Sequence, residues 1–191
     1  MNSNNYLYAN TYLMQYNKIV NNMAYEMLSI VPTQNITIDF IKCMIPHHMA
    51  AIYMCNNFLN YSKYPPLVEI IKKIINQQNE GIRNMEEILR TTPKYKNPKK
   101  QVQRYLSKYY EIVNNMVWMM RHSLKSNNIE LDFINEMIPH HEGAIAMCKN
   151  LLQYPTDPRL ISVANEIINE QTKGIKELKE IRKNINKENY S

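Results

Sequence analysis

Glycine is nearly absent, with three in 191 residues. Tight β-hairpins and phosphate-cradling loops depend on backbone that glycine adopts most cheaply. No Gly-rich phosphate loop is present, and the scarcity favours helices. Cysteine is scarce as well. Cys43, Cys55 and Cys148 are odd in number and lack paired spacing, so the chain has no disulfide framework and reads as an intracellular, non-secreted protein with reduced thiols. No run of uncharged apolar residues is long enough for a membrane-spanning helix. The opening MNSNNYLYANTYLMQYNKIV lacks the basic region and apolar run of a secretory leader.

Arginine is the next shortage. Of 23 basic residues only 6 are arginine, and the net charge of +6 is spread along the chain. The densest basic stretch, PKYKNPKKQVQR at 93–104, reads as a solvated turn between helices. A nucleic-acid surface asks for a continuous basic stripe, so nucleic acid is not an expected partner. A homo-oligomer or another protein partner stays open. What is abundant is 26 Asn, 24 Ile, 17 Lys and 14 Tyr, the residues of AT-rich codons. That bias argues against reading function into any one Asn or Lys. The 13 methionines are less easily assigned to it, although methionine also serves as adaptable core filler.

The strongest signal is internal. Shifted by 93 residues, the chain aligns with itself without a gap, and from 39–61 to 132–154 it matches at 15 of 23 positions. The chain is thus a duplication, with repeats at 1–93 and 94–191 expected to share one bundle about a pseudo-twofold axis. Apolar residues recurring every three to four positions predict three helices per repeat. These are about 4–28, 38–59 and 66–90, then about 98–124, 131–152 and 158–185. The fold class is all-α. Thr37 is the expected cap of the second helix, and Asp157 followed by Pro158 reads as a cap and a first-turn proline.

The middle helices carry CMIPHHMAAIYMC and EMIPHHEGAIAMC. Pro46 and Pro139 fall inside the helical pattern, where each deletes a backbone hydrogen bond and bends the helix. At about 100° per residue, Phe40, Met44, His48, Ala51, Cys55 and Phe58 share the buried face, with His47 beside it. Phe133, Met137, His141, Ala144, Cys148 and Leu151 repeat that face, with His140 beside it. His122 is the one histidine outside the two pairs, so imidazole is almost confined to them, and the four rings converge if the two repeats pack face to face. Met44, Cys55, Met137 and Cys148 lie within a turn or two, and thioether or thiolate donors favour copper(I) or zinc over hard cations.

A di-iron carboxylate site needs Glu-x-x-His on two helices. The residues three before the paired histidines are Met44, Ile45, Met137 and Ile138. Glu136, Glu142 and Glu26 are matched in the other repeat by Cys43, Met49 and Met119, so carboxylates are not duplicated where histidines are. Cys55 lies seven residues from His48, about 10 Å along a helix axis, too far for an activated pair within one helix, while a Cys–His pair across the repeats stays open. Asp39 and Asp132 do repeat, and read as first-turn charges.

DFIKCMIPHHMAAIYMC and DFINEMIPHHEGAIAMC, with the downstream IIKKIINQQNEGIRNM and VANEIINEQTKGIKEL, resemble the domain of unknown function 305 family over 39–88 and 132–181. The resemblance implies a ferritin-like helical bundle in two tandem copies, and an association of some members with copper. Carried onto this chain, it implicates His47, His48, His140 and His141, with Met44, Met54, Met85, Met137 and Met147 as soft donors. The chain departs from the family pattern at Gly81 and Gly174, where a glutamate is usual, and at Leu178, the counterpart of Met85. The family's occurrence in large DNA viruses suits the composition and would place the protein in the host cytoplasm or virion.

Three readings follow. The first is a small protein binding a soft metal, copper(I) before zinc, through His47, His48, His140 and His141 with Met44, Met54, Met85, Met137, Met147, Cys55 and Cys148. The second is a structural or protein-interaction module whose core histidines are hydrogen-bonded and bind no metal. The third is a metal-dependent enzyme.

Overall fold

Six helices account for every regular element among the described residues, which are 3–93, 95–126 and 128–188 of the computed structural model. They are α1 (Ser3–Leu28), α2 (Ile36–Tyr61), α3 (Pro65–Thr91), α4 (Lys99–Arg121), α5 (Ile129–Leu151) and α6 (Pro158–Glu188). Expected and observed ends agree to within three residues. Lys94 in the basic stretch, and residues 1, 2 and 189–191 at the outer ends of the repeats, lie outside the described residues.

The cap of α2 is Asn35 rather than Thr37. The Asn35 side chain accepts the Thr37 and Ile38 N–H groups, satisfying donors that a helix start leaves free. Thr37 sits two residues further in, within the first turn, and its hydroxyl accepts the Asp157 N–H at 3.0 Å. Asn128 caps α5 in the same way through Leu131 N–H. Asp39 and Asp132 are in the first turns, as expected, and each also closes the loop before its helix. Asp39 accepts from Thr33 N–H and hydroxyl, and Asp132 accepts from the same groups of Ser126. Asp157 accepts the Arg159 N–H at 3.0 Å just after Pro158. Within the basic stretch 95–98 are non-helical, and 99–104 are the first turn and a half of α4.

The helices form a ladder. Within each half, the second helix packs between the first and the third, and across the halves α1 meets α4, α2 meets α5 and α3 meets α6. Buried apolar side chains from all six helices form one contiguous core, and Phe58 and Phe133 meet across it with ring centroids 4.8 Å apart. Tyrosine hydrogen bonds tie the outer rung in reciprocal fashion. Tyr16 donates to the Met120 carbonyl at 2.9 Å, and Tyr109 donates to the Met27 carbonyl at 2.8 Å. These pairings set α1 and α4 antiparallel. No helix among the described residues is long and apolar enough to cross a membrane.

Candidate functional site

The central rung, α2 against α5, brings the two His-His motifs together. Both prolines lie inside uninterrupted helices, so the histidines follow on one turn of regular helix and diverge by about 100°. His47 and His140 turn toward each other. Their rings stack with centroids 3.7 Å apart and an interplanar angle of 26°. His47 Nε2 lies 3.2 Å from the His140 carbonyl, and His140 Nε2 lies 3.1 Å from the His47 carbonyl. A carbonyl only accepts, so both rings carry their proton on Nε2.

His48 and His141 point away from the axis. Their centroids lie 6.1 Å and 6.0 Å from those of His47 and His140, so the four rings form a row. Every residue assigned to the buried faces, from Phe40 to Phe58 and from Phe133 to Leu151, is buried, and His47 and His140 beside them are buried as well. All four rings are buried, but His47 faces the other half and His48 faces α3. There it meets Gly81, where a β-carbon would sit 2.8 Å from His48 Nε2. His141 meets Gly174 of α6 in the same manner, at 3.1 Å. The two glycines that depart from the family pattern are spaces for imidazole rings. Sequence reasoning missed that role, although both glycines repeat at the 93-residue offset.

Burial holds all four histidines neutral. It pushes His48 down to about 3 and His140 down to about 4, and it drives His47 and His141 well below the ordinary range. Mutual repulsion among imidazolium charges adds to this for His47, His48 and His141. The Met44 carbonyl acts in the opposite direction on His48. The Nδ1 atoms of the four rings have no hydrogen-bond partner, nor do the Oε1 atoms of Gln78 and Gln171. Each of these glutamines lies three residues before its glycine.

Met44, Met54, Met85, Met137 and Met147 are all buried in the core, as are Cys55 and Cys148. Burial raises the thiols of Cys55 and Cys148 far above their ordinary value, which opposes the thiolate a metal requires. Among the described residues no three His, Cys, Asp or Glu side chains come together to hold an ion. The stacked rings spend Nε2 on carbonyls, which leaves their Nδ1 lone pairs as the imidazole donors they could offer an ion. Two surface clefts of about 740 and 420 Å³ occupy equivalent positions beside Pro46 and Pro139. Neither is lined by a histidine.

A second polar cluster lies one turn before the α5 histidines. Glu136 is fully buried and accepts from the Tyr12 hydroxyl of α1 and from Lys125 Nζ, both at 2.5 Å. Desolvation raises its carboxyl to about 7 despite the opposing pull of Lys125 and Tyr12. The equivalent position in the first half is Cys43. Its thiol is pushed up to about 12 by burial, and its hydrogen bond with Tyr109 acts the other way. The first helix of each half thus reaches the second helix of the other half. The signal available in the sequence was the repetition of Tyr12 and Tyr16 as Tyr105 and Tyr109.

The sequence profile of a family described as "Domain of unknown function (DUF305)" matches residues 5–89 and 110–182. Among solved structures, the chain is similar to the crystal structure of a DUF305 fragment from Deinococcus radiodurans. The identity is 22%, the TM-score is 0.56, and the similarity covers 81% of this chain and 97% of that one. No curated protein matches the chain.

Proposed function

The chain belongs to the DUF305 family, and on that premise we propose that it is a structural or protein-interaction module whose His-His motifs lock two duplicated three-helix units into one ferritin-like bundle. The observation that carries this reading is the reciprocal pair of His47–His140 hydrogen bonds. A histidine that spends its one N–H on the opposite backbone and its face on the opposite ring is committed to holding the halves in register. The offset of 93 residues also links the other paired bonds. Tyr16 and Tyr109 exchange bonds with Met120 and Met27, and Asn57 and Asn150 donate to the Tyr12 and Tyr105 carbonyls.

The competing reading, a soft-metal site taking copper(I) before zinc, has one observation in its favour, the four buried Nδ1 atoms without partners. It would draw on the Nδ1 lone pairs, because His47 and His140 hold Nε2 on carbonyls. Anaerobic copper(I) titration of the reduced protein against a competing chelator separates the two, with zinc in parallel and a variant carrying Ala at 47, 48, 140 and 141 alongside. The module reading expects no tight stoichiometric binding and a large loss of stability in the variant. Tight binding by the wild type, absent from the variant, sinks it.

A further inference from the structure

The outer face of the α1/α4 rung is unlike the rest of the surface. Nine large apolar side chains are exposed among the described residues, and six of them lie on these two helices or the loops that follow them. They are Met14, Tyr25, Leu28, Val31, Trp118 and Leu124. The opposite rung, α3/α6, turns charged residues such as Glu69, Lys72 and Lys73 outward. Tyr25 is nine residues after buried Tyr16, or about 180° around the helix, so it points straight away from the core. Trp118 occupies the same position in the second half and is 60% exposed, against 74% for Tyr25.

The repeats serve as an internal comparison. Surface positions near these two have diverged: Lys18 is matched by Glu111, Glu26 by Met119 and Met14 by Ser107. Yet positions 25/118 and 31/124 are apolar and exposed in both halves. One face of the Trp118 indole stacks on His122, with centroids 4.5 Å apart.

We propose that this face is an interface with a second copy of the same chain. Tyr16–Met120 and Tyr109–Met27 centre the antiparallel α1/α4 pair near Asn21 and Asn114. A twofold axis parallel to these helices then lays α1 of one copy along α4 of the other. In that register Lys18 lies over Trp118 of the second copy, and Tyr25 lies against Glu111 of the second copy. The first is a cation–π pairing, for which Trp is the best acceptor. The second gives the tyrosine hydroxyl a carboxylate. Each pairing occurs twice about the axis. Packing α1 on α1 instead sets Glu111 against the Trp118 face, an unfavourable match for a ring whose face is negative. The divergence of Lys18 from Glu111 is therefore what self-pairing in this register requires.

The inference builds on the module reading by naming its partner, but it uses none of the histidine contacts, so either can fail alone. The test is sedimentation equilibrium of the full chain across micromolar concentrations, with emission from Trp118, the only tryptophan, as a second readout. The expected result is a species of twice 22.7 kDa and a blue shift that tracks its formation. Tyr25→Ser and Trp118→Ser each weaken association at least about tenfold, as central aromatic anchors do, while their unfolding midpoints stay at the monomer's value. Lys18→Ala and Trp118→Ala are non-additive when combined. A mass of 22.7 kDa at every concentration overturns the proposal. So does a dimer that ignores both serine substitutions or leaves the Trp118 emission unmoved.

Discussion

Gly81 and His48 define how closely α3 approaches α2. A β-carbon on Gly81 would lie 2.8 Å from Nε2 and 2.9 Å from Cδ2 of a ring that is itself 98% buried. Glycine in a helix normally costs about 1 kcal/mol relative to alanine, so Gly→Ala at an unconstrained helical site stabilises. Here the ring has no free space to enter, and the sign reverses. Gly81→Ala is expected to lower stability by about 1–2 kcal/mol, the overpacking cost less the propensity gain. At Gly174 the approach to His141 is 3.1 Å, which a shift of a few tenths relieves, so Gly174→Ala should be close to neutral. Urea midpoints of the two variants check this. Equal stabilisation in both would show that the rings are loosely held.

The stacked pair makes a different prediction. His47→Phe keeps a ring for His140 to stack on but loses the donor to the His140 carbonyl, at a net cost of about 1 kcal/mol. His47→Ala loses the ring as well and leaves a cavity, so a cost of about 2–5 kcal/mol is expected. His140→Phe and His140→Ala should mirror these values, because the two bonds are equivalent. Residues in contact couple, so His47→Ala with His140→Ala should cost less than the sum. Chemical denaturation of the three alanine variants measures the coupling. Strict additivity would mean that the rings do not support each other.

Much of this architecture was legible in the sequence, and the reasons are physical. The 93-residue repeat and the three-to-four-residue apolar spacing predicted six helices, and Pro46 and Pro139 did not break theirs because packing on both sides holds α2 and α5 continuous. Burial of His48 and His141 also followed from their place on an apolar face. Which ring faces which helix did not follow, because a helical wheel gives direction but not the angle at which two helices cross. The wheel sets His48 and His47 about 100° apart but does not say that His47 meets His140 and His48 meets Gly81. The departure from the family pattern at Gly81 and Gly174 is not explained by sequence either. Only the distance between helices shows that they leave room for a ring.

Acid should unfold this protein early. An unfolded histidine takes up a proton near pH 6.5. The four buried rings refuse one, down to about 4 for His140 and about 3 for His48. The unfolded chain therefore binds more protons than the folded chain below pH 6.5, and stability falls with pH at about 1.4 kcal/mol per unit for each such histidine. The contribution is fully present above pH 6.5 and is lost as pH drops through 5 toward the folded values. Denaturant midpoints at pH 7.5, 6 and 5 trace it. A flat profile over that range would mean that the rings are solvated and titrate normally.

Glu136 carries the opposite sign, and the difference makes it separable. Its carboxyl is raised from 4.5 to about 7 in the folded protein, so between these values the folded chain holds a proton that the unfolded chain has released. This contribution is favourable below pH 4.5 and is lost as pH rises through 7. The Lys125 ammonium and the Tyr12 hydroxyl recover only part of the cost of burying the charge, in keeping with the usual balance of desolvation against pairing. Glutamine fills the same volume and cannot ionise. The stability of Glu136→Gln relative to wild type should therefore improve between pH 5.5 and pH 8, on the order of 2 kcal/mol from the linkage relation. The histidine contribution is common to both proteins and cancels in that difference. A gap between the two proteins that stays constant with pH would mean that Lys125 fully compensates the buried charge, and that Glu136 is ionised throughout.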